Sequence, residues 1–120
     1  MTSDPNAVAT VVAFNEAINA RDLPALGELM TESHRFIDSA GTAVEGKAAC
    51  LAAWEEFFEG FPDYRNVFDV VQDDPDGVRA QGRSECSDPA LEGPAEWHAV
   101  VTDGRVAVWR VSEPQAAPGA

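Results

Sequence analysis

The hydrophobic period of this chain changes once, and that change decides its fold class. Up to about residue 60, apolar side chains recur every three to four positions; from Tyr64 onward they alternate. The switch falls at the stretch GFPDY, where Gly60 is placed to end a helix at its C′ position and Pro62 prevents continuation. Helical patterns gathered before the switch and strand patterns after it predict α+β: a single domain in which helices pack on one face of a curved, mainly antiparallel sheet.

Individual elements follow from the same signals. Asp4-Pro5 reads as an N-cap and first-turn proline ahead of a helix carrying Val8, Val11, Val12, Asn15 and Ile18 up to about Ala20. Asp22 is placed to cap a shorter helix with Leu23, Leu26, Leu29 and Met30 on its apolar side. His34 to Asp38 alternates and reads as a short strand before a Ser-Ala-Gly turn. Gly46 to Gly60 is the clearest helix, with Leu51, Trp54 and Phe58 on one face. Strands are predicted near Tyr64–Val71, Val78–Cys86, Glu96–Val101 and Arg105–Val111, separated by turn-rich stretches. The core is expected over about residues 5–112, with 113–120 a mobile tail.

At 120 residues the chain can bury a core without metal or disulfide staples. Its formal net charge of −13 repels phosphate, which argues against nucleic acid and membrane surfaces as partners. No apolar run approaches the roughly 20 residues of a membrane span, and no cationic leader is seen, so a cytoplasmic protein is expected. Cys50 and Cys86 are the only cysteines, widely separated, and read as reduced core residues. With no metal-ligand spacing, phosphate loop or nucleophile elbow, no metal or cofactor is expected.

One turn bears on which side chains face inward. A two-residue Asp103-Gly104 loop would set His98 opposite Trp109, whereas a three-residue loop starting at Thr102 would set Trp97 there. A one-residue change of register exchanges the two faces of a strand, and the sequence leaves both open.

Asp38 is the residue that most needs a role. A strand-end aspartate before a turn commonly accepts hydrogen bonds from the turn amides, here those of Ser39 to Gly41. A carboxylate beside apolar rings can instead serve as a base. His34, Phe36 and Asp38 share a strand face, but His34 lies about 13 Å from Asp38 along a strand, which suits an entrance histidine better than a dyad.

Four segments, AFNEAINARDLPALGELM, HRFIDSAGTAVEGKAA, W-x-x-F-F-x-x-F-P-D-Y and V-x-D-G-R-V-x-x-W-R-V, occur in an order that resembles the SnoaL-like group of the nuclear-transport-factor-2-like superfamily. The resemblance runs from about Val8 to Val111 and implies a cone-shaped barrel: a curved sheet wrapped around three helices, with a pocket inside and homodimers formed through the outer sheet face. The superfamily includes polyketide cyclases, ketosteroid isomerases and limonene-epoxide hydrolases, so fold leaves activity open. The isomerase base falls on Asp38. The isomerases' oxyanion tyrosine falls on Phe14, a supporting tyrosine on Trp54, and the second acid, shared with SnoaL-type cyclases, on Trp97. Arg83-Ser84-Glu85 is similar to the Arg-x-acid step of the epoxide hydrolases, but Val111 stands where those enzymes carry another acid. Arg79, Gln81, Arg83 and Glu85 fit better as the solvated or dimer-facing side of their strand.

The reading that results is proton transfer by Asp38, with His98 as a second candidate, on a hydrophobic polycyclic or terpenoid-like molecule. Phe14, Met30, His34, Phe36, Trp54, Phe58, Tyr64, Trp97 and Trp109 are the expected pocket wall. The alternatives are a binding module without turnover, an epoxide-hydrolase-like enzyme, and a cone filled by its own aromatics and used only for assembly.

Overall fold

The computed structural model describes residues 6–112; Asp4-Pro5 and the tail at 113–120 lie outside the described residues. Helix α1, Ala7–Ala20, buries Val11, Phe14 and Ile18 along one stripe, the spacing of a 3.6-residue period. It ends at Arg21, a non-glycine residue in the left-handed conformation with φ of 58°. Arg21 is held there by its guanidinium, which donates to the carbonyls of Asn19 and Phe61 and lies 5.8 Å over the Phe58 ring. Helix α2, Leu23–Glu28, is capped as its sequence suggests: the Asp22 carboxylate accepts from the Ala25 amide at 3.1 Å.

Strand β1, Met30–Ile37, starts earlier than the alternation indicates, so Met30 belongs to a strand and not to α2. A short β2, Ala43–Glu45, unforeseen in the sequence, pairs back on β1. Helix α3, Lys47–Gly60, buries Cys50, Trp54 and Phe58 at i, i+4 and i+8. Gly60 is the last helical residue, not a left-handed terminator. The exit is made at Phe61 with φ of −135°, and its amide bonds the Phe57 carbonyl.

Strands β3 (Arg65–Asp74), β4 (Gly77–Glu85), β5 (Gly93–Thr102) and β6 (Arg105–Ser112) form an antiparallel meander. The six strands make one mixed, curved, open sheet in the order β2-β1-β6-β5-β4-β3, with β1 joined parallel to β6. Curvature has a local cause in β3, where the pairing slips around Asp69. There the Val67 carbonyl crosses so close to Gly82 that no Cβ would fit. The outer edge of β3 is covered from α1: Asn19 Oδ1 accepts from the Asn66 amide at 2.8 Å, and Asn19 Nδ2 donates to the Asn66 carbonyl at 2.9 Å.

The β5–β6 turn resolves the register in a way neither alternative foresaw. Asp103 and Gly104 form a two-residue loop, both with positive φ (53° and 77°), and Thr102 pairs with Arg105. A bulge follows: Val101 faces Val106 while Val100 faces Val108, leaving Ala107 extra. Beyond it Ala99 opposes Trp109, Trp97 opposes Val111 and His98 opposes Arg110. Trp97 and Trp109 therefore face inward and are almost wholly buried.

Candidate functional site

The two helices divide the inner face of the sheet. Helix α1 lies on β3 to β6, and α3 lies on β1 and β2. Under α1 the packing is solid. Phe14 sits 4.6 Å from the Trp109 ring and 5.6 Å from His34, and Phe68 sits 4.9 Å from Trp97. Toward the other end of the sheet a cavity of about 780 Å³ remains open. Its walls are Phe36, Asp38 and Val44 from β1–β2, Trp54 and Phe57 from α3, and Trp109 and Val111 from β6. The sheet's far side adds Tyr64, Asn66 and Ser84, the loop into β5 adds Ala90, Leu91 and Glu92, and the start of β5 adds Gly93, Pro94 and Ala95.

Asp38 follows directly on β1, and its carboxylate takes up the turn-capping role considered for it. Oδ1 accepts from the amides of Ala40 (3.0 Å) and Thr42 (2.9 Å), which fixes the loop between β1 and β2. Oδ2 takes no part in that loop, and the residue lines the cavity. One carboxylate oxygen is thus anchored, and the other makes no hydrogen bond among the described residues. Among the described residues Glu92 is the second acid in the wall, and no Lys, Arg or His lines it.

Of the side chains expected at the site, the fold brings Phe36, Asp38, Trp54, Tyr64 and Trp109 to the cavity. It does not bring Phe14, Met30, His34, Phe58, Trp97 or His98 there. Phe14 and Trp97, the positions aligned with polar groups of the isomerases, are spent on packing under α1 and do not surround Asp38. Met30 is buried at the foot of β1, and Phe58 packs between Trp54 and Arg21.

His34 is no entrance residue: it is fully buried. The β1–β6 pairing is interrupted between Met30 and Arg35, and His34 Nδ1 reaches across to donate to the Val106 carbonyl at 2.7 Å. Burial lowers its pKa below the usual histidine value, partly offset by that hydrogen bond, so it is neutral in the fold. His98 faces outward because the Ala107 bulge turns it there, and its Nε2 lies 3.5 Å from Asp74. Asp74 is held below the ordinary aspartate value: its partial burial acts upward, but the Asp76 amide, His98 and Arg79 together outweigh it.

Asn66 and Ser84 were missed. Tyr64 and Ser84 hydroxyls lie 3.1 Å apart, and Ser84 Oγ donates to Asn66 Oδ1 at 3.3 Å. Burial pushes the Tyr64 hydroxyl up from its usual pKa, with the Ser84 bond acting against it, so the phenol stays protonated at neutral pH. Cys50 also borders the cavity as a free thiol, its pKa raised by burial and its Sγ bonded to the Val44 carbonyl at 3.3 Å. Among the described residues no cluster of His, Cys, Asp and Glu could hold a metal ion, and no helix is long and apolar enough to cross a membrane.

The family model of the SnoaL-like domain matches residues 11–115. The chain belongs to the SnoaL-like domain family. Similar solved structures agree with the fold. A candidate SnoaL-like polyketide cyclase from Jannaschia superposes with a TM-score of 0.77 at 25% identity, covering 92% of this chain and 89% of that one. A candidate ketosteroid isomerase from Kribbella flavida gives 0.77 at 17% identity, covering 93% and 80%. An epoxide hydrolase of M. tuberculosis described as LEH-like gives 0.76 at 15%, covering 89% and 81%. No curated protein sequence matches the chain. As a SnoaL-like domain the protein has the family's cone architecture, here with its interior half filled and half open.

Proposed function

We propose that the protein is a cofactor-independent enzyme of the cyclase or isomerase type that moves a proton on a small, largely apolar molecule held in the cavity, with Asp38 as the base. The supporting observation is the division of labour within one carboxylate. Two backbone amides on Oδ1 fix its position, while Oδ2 is left for a substrate proton in a wall built mainly from Phe36, Trp54, Phe57 and Trp109. A positioned base contributes about 10²–10⁴-fold to such a step. The epoxide-hydrolase alternative is less well supported, because Val111 occupies the wall where an acid would be needed and Arg83 and Glu85 pair with each other on the outer face. A binding module without turnover uses the same cavity and differs only in what Asp38 does.

Nitrobenzisoxazole is a suitable probe, since removal of one carbon-bound proton opens its ring to a coloured phenolate. The protein should accelerate that elimination, and Asp38→Asn should lower the rate by about 100-fold or more while the fold survives. Equal rates for the two proteins, each folded, would make the cavity a binding site only.

The outer sheet face, expected to be a homodimer surface, is largely charged. Arg79 pairs with Asp74 and Glu96, and Arg83 with Asp69 and Glu85. Val70 is the exposed large apolar residue among those described, so the apolar area expected to drive pairing is small. Homodimerisation through this face is a separate proposal. A dimer at micromolar concentration that Val70→Glu converts to monomer would support it, and a monomer in sedimentation at every concentration would refute it.

A further inference from the structure

The cavity carries two unlike polar regions. One is acidic: Asp38, partly exposed, and Glu92, exposed. The other is neutral and buried: Tyr64, Asn66 and Ser84 are 8%, 2% and 5% exposed. Asn66 is the unusual member. Its backbone amide and carbonyl are satisfied by Asn19, and its Oδ1 accepts from Ser84. Its Nδ2 is buried with no hydrogen-bond partner. A buried amide nitrogen without an acceptor is costly, and native structures rarely leave one without a reason. Here the residue borders a cavity, so a ligand can supply the missing acceptor.

The chain of hydrogen bonds gives that group a direction. With Tyr64 donating to Ser84 and Ser84 donating to Asn66 Oδ1, the amide is fixed as an acceptor on one side and an unused donor on the other. The charge of the acceptor is also constrained. Among the described residues the wall holds Asp38 and Glu92 and no basic side chain, within a chain of formal net charge −13. An anionic acceptor would be desolvated there without a counter-charge.

From this we infer that Asn66, oriented by Ser84 and Tyr64, is a ligand subsite that binds the carbonyl oxygen of an uncharged, hydrophobic ketone. The inference rests on the proposed use of the cavity for small molecules but not on Asp38 as a base. It specifies the ligand as an apolar ring skeleton with a neutral oxygen at its buried end. Asn66 is on β3 and Asp38 follows β1, at opposite sides of the curved sheet with Trp109 of β6 in the wall between them.

Three probes of similar size separate the possibilities: tetralone (a ketone), tetralin (the same rings without oxygen) and naphthoate (a carboxylate). Quenching of Trp54 and Trp109, both in the wall, gives the readout. Tetralone should bind about tenfold more tightly than tetralin, the fold-change of one hydrogen bond completed in a buried site, and naphthoate should bind more weakly than either. Asn66→Leu keeps the volume and should abolish the preference for the ketone without weakening tetralin. Ser84→Ala, which leaves the amide in place but removes its orienting donor, should reduce the preference and serves as the second variant should Asn66→Leu not fold. Equal binding of tetralone and tetralin by the unaltered protein, a preference that survives Asn66→Leu, or naphthoate binding as well as tetralone would each overturn the subsite. If none of the three binds, both the subsite and the proposed use of the cavity fall. Elimination of nitrobenzisoxazole lost in Asp38→Asn with no ketone preference in the unaltered protein would overturn the subsite alone. The ketone preference with no Asp38-dependent elimination would overturn the base alone.

Discussion

The two ends of this sheet use the same kinds of side chain to opposite effect. At one end Met30, Val78, Ala80, Ala99 and Val106 are each no more than 1% exposed, and α1 closes over that part of the sheet. At the other, Phe36, Ser84, Ala95 and Val111 line an open cavity that α3 and the loop residues Ala90, Leu91 and Glu92 enclose only in part. Phe14 and Trp109 stand at the boundary, in contact with each other. The comparison shows that aromatic content alone does not make a pocket in a cone. What matters is whether a helix reaches down to the sheet: α1 does so on β3 to β6, and the cavity lies toward α3 and the residues before β5.

The largest effect expected from this difference is on stability. Phe14→Ala empties a fully buried ring position at the packed end and should cost about 3–5 kcal/mol in denaturant unfolding. Val111→Ala removes methyl groups from a half-buried wall position and should cost less than about 1 kcal/mol. Comparable losses would mean that the cavity end is as well packed as the other.

A smaller effect belongs to His34, the buried histidine of the packed end. Its folded pKa lies below the unfolded value of 6.5, so the unfolded chain binds the extra proton between those two values. Stability then rises with pH through that window, is fully present above 6.5 and is lost as pH falls below it. For one proton the slope has a ceiling of about 1.4 kcal/mol per pH unit. Measured in a His98→Gln background, to remove the other histidine, the slope just below pH 6.5 should flatten when His34→Gln is added. An unchanged slope would place the titration elsewhere.

How much of this was legible follows the same division. Helices and meander were readable because burial is one-sided and leaves a period in the sequence, as in Cys50, Trp54 and Phe58. Strand β2 was not, since Ala43, Val44 and Glu45 form too short a run to show alternation. Phe36, Asp38, Trp54, Tyr64 and Trp109 were placed at the site by resemblance and parity. His98 was misplaced because its face depends on a bulge at Ala107, and nothing in RVAVWRV marks one residue as extra. His34 was misplaced because its burial depends on an interrupted pairing with Val106. Asn66 and Ser84 were passed over as polar strand residues, yet a signal existed. Asn66 shares its period-two face with Tyr64 and Phe68, and Ser84 with Val78 and Ala80.

One pair of substitutions tests the division most directly. Ala95 and Ala99 lie on the same strand and the same face, four residues apart; Ala95 borders the cavity and Ala99 is 1% exposed under α1. Ala99→Leu should overpack its end and cost about 1–3 kcal/mol in denaturant unfolding. Ala95→Leu extends into open space and should leave stability within about 0.5 kcal/mol of the unaltered protein. Equal destabilisation by the two would contradict the account, because the end assigned to a ligand would then be already full.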